Sequence, residues 1–252
     1  MGKIANLIII IIVVISALMV LALTIFFFEQ QDPNRTRSLN DYGDITEIRL
    51  KNGNTYKNKK FLIDGENLYY DEDFTDVEED KQIIEPAAEV LRYLLREYEI
   101  RTLFLNSRGG SMRESQEMAS LIDLHDLDTV VRKDCDSACT YLFLEGKSRK
   151  LEEGAKLGFH RSSSINEDLE KRYYELKGEF GEDYSVFDFA AALTEETEED
   201  MFIYLNDLLE KGIDPAFAIK TFQASSDDMW YPSREELIAA GVLTDEDIQQ
   251  KF

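Results

Sequence analysis

The chain has 252 residues, of which 51 are Asp or Glu and 28 are Lys or Arg, so its formal net charge is −23. An acidic surface repels phosphate groups, which argues against a nucleic-acid-binding protein. The two cysteines are too few for a disulfide framework or a structural zinc site. We therefore expect no metal and no cofactor, in a chain long enough for one enzyme-sized domain beside a targeting segment.

The first predicted element is an uncharged apolar run that covers residues 4–28. A helix rises about 1.5 Å per residue, so this run is long enough to cross a hydrocarbon core of about 30 Å. No small-residue cleavage pattern follows it, which favours a retained transmembrane anchor over residues 1–29 rather than a cleaved signal peptide. The chain would then contact the lipid bilayer through residues 4–28.

The sidedness of this anchor is weakly encoded, because Lys3 precedes the run and Arg35 and Arg37 follow it. The short, barely charged N-terminal tail favours an N-terminus inside, with the domain on the non-cytoplasmic side, either periplasmic or extracellular. Residues 30–44 are polar, contain a Pro and a Gly, and are typical of a juxtamembrane linker. The domain itself is predicted over residues 45–252.

Short alternating runs separated by turn signals occupy residues 45–71, and this pattern predicts a small antiparallel element at the edge of the domain. Helical and strand patterns then alternate along the chain. Helices are predicted at residues 83–98, 114–124 and 138–145, and strands at residues 101–105, 129–132 and 157–160. This alternation predicts an α/β domain with right-handed crossovers and a mainly parallel sheet. A strongly acidic helical stretch, residues 166–212, follows as an insertion or arm.

Candidate functional residues follow the three predicted strands directly, where the active sites of parallel sheets lie. Gly109 and Gly110 allow backbone N–H groups to face a substrate carbonyl, as in an oxyanion hole, although a plain turn also explains them. Ser137 precedes a predicted helix and is either a simple N-cap or a nucleophile. His160 ends the last strand and is the natural base for Ser137, because the other histidine, His125, lies in a connection typical of the surface.

A histidine base needs a third group that fixes its tautomer and stabilises the imidazolium. Asp228 is the candidate, because the large Trp230 and Tyr231 that follow it would partly bury this segment. Asp227 is its rival, and both residue types are also ordinary turn formers.

Cys135 and Cys139 flank Ser137 at a spacing of four residues. This spacing permits a strained disulfide in an oxidising compartment. Two buried free thiols are the more common case and are the prediction. Cys139 is also an alternative nucleophile.

Four segments together resemble the Clp protease proteolytic subunit and its relatives, which share the Clp-protease/crotonase fold. They are NSRGG at residues 106–110, CDSACTYLFLEG at residues 135–146, LGFHR at residues 157–161 and SDDMWYPSREELIAAGVL at residues 226–243. The resemblance implies repeated β-β-α units and a homo-oligomer. It further implies an oxyanion hole formed by the N–H groups of Gly109 and Ala138, and it places Asp228 on the acid of the family.

Within this resemblance the family serine falls on Ser137 rather than on Cys139, because only Ser137 leaves the following helix ungapped. Two neighbours depart from the family pattern. Arg108 stands where a Pro is usual, and Asp136 stands where a small residue is usual. The surroundings of the nucleophile are therefore expected to be more polar than in the family.

The resulting prediction is a membrane-anchored, ATP-independent serine peptidase that hydrolyses polypeptides by a Ser-His-Asp mechanism. Lys156 would serve as the base in a Ser-Lys pair, but His160 at the matching position favours histidine. The alternative is a catalytically inactive, membrane-tethered binding or assembly module of the same fold. A crotonase-like acyl-CoA enzyme is disfavoured, because an acidic chain offers no obvious basic patch for the phosphates of CoA.

Overall fold

The computed structural model describes residues 47–49, 53, 55–57, 59–78, 81–162 and 166–244, which all belong to one compact unit, residues 42–252. The predicted anchor over residues 1–29 and the predicted linker over residues 30–44 lie outside the described residues. Of the helices that are described, none is both long and apolar enough to cross a membrane.

Eight strands are described, and six of them form the main sheet. The strands are β1 (Glu47–Arg49), β2 (Thr55–Lys57), β3 (Phe61–Asp64), β4 (Asn67–Asp71), β5 (Thr102–Ser107), β6 (Asp128–Asp136), β7 (Arg149–Leu151) and β8 (Lys156–Gly158). In the main sheet the strand order is β3-β4-β5-β6-β7, and β8 also pairs with β6. All neighbours pair in parallel except β3 and β4, so the predicted α/β domain with a mainly parallel sheet is confirmed.

The predicted antiparallel element at the domain edge is also confirmed. Strands β1 and β2 form a separate antiparallel pair, and β3 is the antiparallel edge strand of the main sheet. A single-turn 3₁₀ helix, Glu72–Phe74, follows β4, and the side chain of Asp71 accepts a hydrogen bond from Asp73 N at its start. This turn places acidic residues at the carboxyl end of β4.

Seven helices are described. They are α1 (Ala87–Glu97), α2 (Met112–Leu124), α3 (Cys139–Leu144), α4 (Asn166–Phe180), α5 (Val186–Glu210), α6 (Pro215–Lys220) and α7 (Arg234–Ala239). The acidic stretch over residues 166–212 is therefore helical, as predicted, and consists of α4 and α5. Helix α6 is capped by Asp214, whose Oδ1 accepts from Phe217 N at 2.9 Å, and Pro215 occupies its first turn.

The core lies between the sheet and the helices that pack on it. Helix α1 buries an apolar stripe that includes Val90, Leu91 and Leu94, as its periodicity predicts. The stripe packs into one cluster with buried residues of the central strands, such as Leu103 and Leu105.

Helix α1 starts four residues later than the sequence predicts. Ile83 instead forms a parallel β-bridge with Gly110. In this bridge Ile83 N donates to Gly109 O and Ser111 N donates to Ile83 O, both at 2.7 Å. The helical periodicity at residue 83 is therefore overridden by a tertiary contact, and that contact fixes the backbone on both sides of Gly110.

Candidate active site

Three parallel strands bring the predicted site segments to one edge of the sheet. Ser107 of β5 is in register with Cys135 of β6, and Asp136 of β6 is in register with Gly158 of β8. The segments that follow these residues therefore meet, because carboxyl ends of neighbouring parallel strands lie side by side. Strand β6 reaches Asp136, four residues beyond its predicted end, and so carries the chain directly to Ser137.

Ser137 has a backbone conformation that is uncommon for a residue with a side chain. Its φ is +54°, in the left-handed region, and its N–H donates to Gly158 O at 2.9 Å. The N-cap of α3 is Ala138, with no side-chain cap hydrogen bond, so Ser137 is not the simple N-cap serine. A strained residue with an uncommitted hydroxyl between a strand and a helix has the placement of a nucleophile.

The two cysteines on either side of Ser137 form a disulfide in the structure, with the Cα atoms 5.2 Å apart. The prediction of two free thiols is therefore wrong. Both residues are fully buried, as predicted, but the strand-to-helix transition brings their side chains together. A disulfide-bonded Cys139 has no thiolate, so it does not offer the alternative nucleophile.

Gly109 packs directly against the backbone of the nucleophile segment. A Cβ added to Gly109 would lie 2.6 Å from Asp136 O and 2.9 Å from Ala138 N, and its φ is +94°. Only glycine fits this close approach. Its N–H donates to Ser107 Oγ at 3.1 Å, whereas the N–H groups of Gly110 and Ala138 have no acceptor in the described part of the chain. The two open donors are therefore those of Gly110 and Ala138.

Sequence reasoning missed one residue that shapes this segment. Glu72 is buried after β4; its Oε1 accepts from Ser107 Oγ at 2.5 Å and its Oε2 from Arg108 N at 2.9 Å. Burial raises the pKa of Glu72, and these two hydrogen bonds oppose that rise. The sequence signal for Glu72 was its position directly after β4, because β4 and β5 are parallel neighbours and the loop after β5 lies beside it.

The side chain of Arg108 lies on the outer side of this loop. Its Nη2 donates to Glu78 Oε1 at 2.8 Å, and both side chains are more than half exposed. The guanidinium lines a surface depression with Glu72, Asp73 and Lys133, not the cavity that contains Ser137. The expectation that Arg108 makes the nucleophile's surroundings more polar is therefore wrong.

Ser137 and His160 line the same cavity of about 130 Å³, together with Gly110 and Ala138. Tyr141 and Tyr204 are among the residues shared with a larger neighbouring cavity of about 750 Å³. The larger cavity extends along α2 and α5, so the acidic arm supplies one of its walls. Burial raises the pKa of Tyr141 to about 12, with Asp200 and Asp207 adding to the rise. Tyr141 is therefore a neutral hydroxyl at this junction.

His160 is brought to Ser137 but is not hydrogen-bonded to it. Among the described residues no hydrogen bond joins Ser137 Oγ to the ring, and His160 Nδ1 is buried without a partner. Such bonds are often long in the absence of substrate and shorten when it binds. The other histidine, His125, is exposed at the end of α2, as predicted for a surface residue.

Among the described residues, no hydrogen bond or ion pair joins Asp228 to His160. Asp228 is exposed, and its Oδ1 accepts from the neighbouring Met229 N at 2.8 Å. Its rival Asp227 is also exposed and accepts from Ser225 Oγ, which lowers the pKa of Asp227. Both carboxylates thus behave as the turn formers that loops commonly contain.

A different carboxylate, that of Asp136, is buried at the site. Its Oδ2 accepts from Tyr231 Oη at 3.1 Å, whereas its Oδ1 is buried without a partner among the described residues. Burial raises the pKa of Asp136, and the hydrogen bond from Tyr231 opposes that rise. Burial and the adjacent Asp136 together raise the pKa of Tyr231 to about 12, so Tyr231 stays a proton donor.

In the described part of the chain, no group of three or more His, Cys, Asp or Glu side chains is arranged to hold a metal ion. The donors at the site are a hydroxyl, an imidazole and backbone N–H groups. Their arrangement suits an attack on a carbonyl carbon by Ser137, with stabilisation of the oxygen that becomes negative.

No protein-family model matches the chain, and no curated protein matches it. Among solved structures, the chain is similar to a mutant of ClpP1 from Listeria monocytogenes. The two are 16% identical, the alignment covers 66% of this chain and 90% of that chain, and the TM-score is 0.46. This identity and this TM-score do not establish a shared function.

Proposed function

We propose that this chain is a serine-type peptidase of the Clp-protease fold that hydrolyses peptide bonds without ATP. One observation carries the proposal. Ser137 has a left-handed φ of +54° and a hydroxyl that does not cap its helix, and it lines one cavity with His160, Gly110 and Ala138. The N–H groups of Gly110 and Ala138 have no acceptor among the described residues. These are the parts that acyl transfer to water requires.

In the proposed reaction Ser137 Oγ attacks the peptide carbonyl carbon while its proton passes to His160 Nε2. The carbonyl oxygen becomes an oxyanion that accepts hydrogen bonds from the N–H groups of Gly110 and Ala138. The C–N bond then breaks, and the amine leaves with the proton from His160. Water, deprotonated by the same ring, attacks the acyl-enzyme and restores Ser137.

The neighbouring cavity of about 750 Å³ supports a polypeptide substrate, since it has room for side chains on one side of the scissile bond. Its wall includes apolar residues such as Met201 and Ile203 and acidic ones such as Asp123 and Asp200. No cofactor is needed for this chemistry.

Labelling by a fluorophosphonate probe tests the proposal on the purified full chain. We expect wild type to be labelled and Ser137→Ala and His160→Ala to lose labelling, because the probe reacts with an activated serine. Ser162→Ala is the matched control, since Ser162 lines the same cavity and is exposed. Labelling that survives in Ser137→Ala, or that is lost in Ser162→Ala, would overturn the assignment.

The second candidate is a catalytically inactive binding or assembly module of the same fold. The absence of a Ser137 to His160 hydrogen bond among the described residues favours it. Under this candidate a folded wild-type chain would show no labelling at any pH, and peptides would bind the cavity without being cleaved.

We further propose that the chain is anchored in a membrane through residues 4–28, with the domain on the non-cytoplasmic side. The apolar run supports the anchor. The disulfide beside Ser137 supports the sidedness, because such bonds form in periplasmic or extracellular compartments and are rare in the cytosol. Sedimentation with membranes after carbonate extraction tests the anchor. Digestion of the domain by protease added to intact spheroplasts tests the sidedness, and a fully protected domain would contradict it.

A homo-oligomer is the remaining part of the proposal. Large apolar side chains are exposed on α5, with Phe187 85% and Phe202 69% exposed, and such groups are often buried by association. Light scattering on the detergent-solubilised chain tests this, and a monomeric mass at micromolar concentration would contradict it. Phe187→Ser with Phe202→Ser should lower the mass if α5 carries the contact.

A further inference from the structure

We infer that Asp136, and not Asp228, is the carboxylate that stabilises the protonated ring of His160. This inference rests on the proposed function, because a positively charged His160 arises when Ser137 gives up its proton. Asp136 is a positioning residue here: it touches neither the substrate nor the nucleophile's oxygen, and it acts through the imidazole.

The sheet register puts Asp136 on the side of the sheet where His160 emerges. Asp136 pairs with Gly158, and side chains two residues apart on a strand point to the same face. The chain stays extended beyond Gly158, because Phe159 exchanges two hydrogen bonds of 2.9 Å with Trp230. Position 160 therefore follows position 158 on the face that bears the Asp136 side chain.

Gly158 leaves this face open. A Cβ added to Gly158 would lie 2.3 Å from Asp136 Oδ1, so the carboxylate occupies the space that a side chain at position 158 would fill. Any other residue at this position would push the carboxylate away. Gly158 thus leaves room for the Asp136 carboxylate to lie at the end of β8, two residues before His160.

Two buried atoms at this place lack partners and complement each other. Among the described residues, the side-chain atoms that are buried without a hydrogen bond include Asp136 Oδ1 and His160 Nδ1. A carboxylate oxygen only accepts, and Nδ1 donates when Nε2 is the atom that accepts the serine proton. Buried polar groups are rarely left unpaired, so an orphan acceptor and an orphan donor on one face indicate a functional pair.

Several groups act on the charge of Asp136. Burial raises the pKa of Asp136, and Asp134 adds to the rise. The hydrogen bond that Tyr231 donates to Oδ2 and the positive charges of His160 and Lys156 lower the pKa and so favour the ionised carboxylate. Electrostatic interaction is mutual, so a negative charge on Asp136 favours the protonated form of His160.

The only two histidines of the chain make this inference measurable without any substrate. The ring signals of His160 and of the exposed His125 can be followed against pH by NMR. We expect Asp136→Asn to move the titration of the His160 signals to lower pH, and Asp228→Asn to leave it unchanged. The His125 signals should be unchanged in both variants.

The labelling rate supplies the second readout. We expect Asp136→Asn to lower the rate of fluorophosphonate labelling by at least about tenfold, and Asp228→Asn to stay within about twofold of wild type. Tyr231→Phe, which keeps the charge but removes its hydrogen bond, should give a smaller loss. A His160 titration that responds to Asp228→Asn and not to Asp136→Asn would overturn the inference.

The two proposals fail in different ways. If wild type is not labelled at all, the proposed peptidase activity fails, while the NMR titration still decides whether Asp136 acts on His160. If wild type is labelled and Asp136→Asn changes neither the rate nor the titration, the inference fails and the activity stands. Melting temperatures of the variants establish that each is folded.

Discussion

At the scale of single residues, the site is organised around Ser137 and its nearest neighbours in the sequence. Asp136 is buried before it, Ala138 offers its N–H after it, and the disulfide joins the residues at two positions on either side. This arrangement explains how a residue with a side chain is held at a φ of +54°, since such strain persists only where the surroundings determine it.

The disulfide is expected to be required for labelling of Ser137. Reduction of the Cys135–Cys139 bond would allow the strand-to-helix transition to relax from the left-handed φ of Ser137. We expect dithiothreitol to slow fluorophosphonate labelling of wild type by at least about tenfold, the scale set by misplacement of a reacting group. The Cys135→Ala/Cys139→Ala variant should be equally slow and indifferent to dithiothreitol. Reduced wild type that is labelled at the oxidised rate would contradict this.

Asp136 is expected to lower the stability of the fold at neutral pH. Burial raises its folded-state pKa, so the ionised form is disfavoured in the folded state. The resulting loss of stability is complete above the folded-state pKa and disappears as the pH falls to the ordinary range of carboxyl titration. Asp136→Asn should therefore melt at a higher temperature than wild type at pH 7.

The pH dependence provides the control for this prediction. The difference in melting temperature between Asp136→Asn and wild type should shrink as the pH is lowered toward 4. The reason is that the folded-state pKa of Asp136 is raised, so the carboxyl is protonated in the folded state at low pH and no longer destabilises it. Asp228→Asn, at an exposed carboxylate, should show no such trend. A variant that is less stable than wild type at pH 7 would show that the carboxylate is a net stabilising group.

At the scale of elements, the site depends on how closely the loop after β5 approaches the end of β6. Gly109 sits against backbone atoms of Asp136 and Ala138, and Ile83 holds the loop from the other side. Glu72 supports it from β4 through Ser107 Oγ. The oxyanion donors are thus positioned by three separate elements rather than by the loop alone.

Gly109→Ala tests this close approach. The new Cβ would lie 2.6 Å from Asp136 O, so the loop must move away from Ser137, and labelling should fall by at least about tenfold. Gly154→Ala is the matched control, because its φ of +81° carries a similar conformational penalty while no described atom lies within 4 Å of the added Cβ. Gly154→Ala should lose about 1 to 2 kcal/mol of stability through its positive φ. Gly109→Ala should lose more, because the clash of its Cβ adds to that penalty. Equal labelling of the two would contradict the role of the contact.

The sequence predicted those elements whose patterns are regular. Periodicity predicted the strand after α1, and position at strand ends predicted that Gly110, Ser137 and His160 meet. The end of β6 could not be predicted from the sequence, because the exposed Lys133 and Asp134 interrupt its apolar run just before the site. β7, with only three residues, offers too short a pattern.

The sequence indicated only part of the role of the acids. Asp228 precedes Trp230, and the bridge of Phe159 to Trp230 does hold this segment against β8. The direction in which a carboxylate points depends on the local turn, however, and here Asp228 faces solvent. The position of Asp136 beside Ser137 already indicated a negative charge that favours a protonated base. Its placement at the end of β8 could not be predicted, because that depends on the register with Gly158.

At the scale of the whole domain, a buried arginine joins the C-terminal segment to the sheet. Arg149 of β7 donates from Nε to Val242 O at 2.8 Å and from Nη2 to Gly241 O at 3.1 Å. It also donates from Nη1 to Gly146 O at 3.3 Å, after α3. Burial lowers the pKa of Arg149, and these carbonyl groups satisfy its donors in place of water.

Arg149→Met is expected to lower the free energy of unfolding by at least about 2 kcal/mol, because several buried carbonyl groups lose their donors. Urea unfolding followed by circular dichroism measures this change. Arg101→Met is the control, since the Arg101 side chain is 73% exposed and pairs with Glu66 at the surface, where a salt bridge contributes less than about 1 kcal/mol. Similar losses in the two variants would show that the buried contacts are not decisive.

The disulfide next to Ser137 restricts the unfolded chain only weakly. It joins residues four apart, so the loop it closes in the unfolded chain is very short and the entropy it removes there amounts to about 2 kcal/mol. A loop of about 15 residues would give about 3 kcal/mol. Most of the resistance of this domain to unfolding must therefore come from its core, whereas we expect the disulfide to act mainly on the local order of Ser137. A melting curve will consequently report little about whether the site is intact.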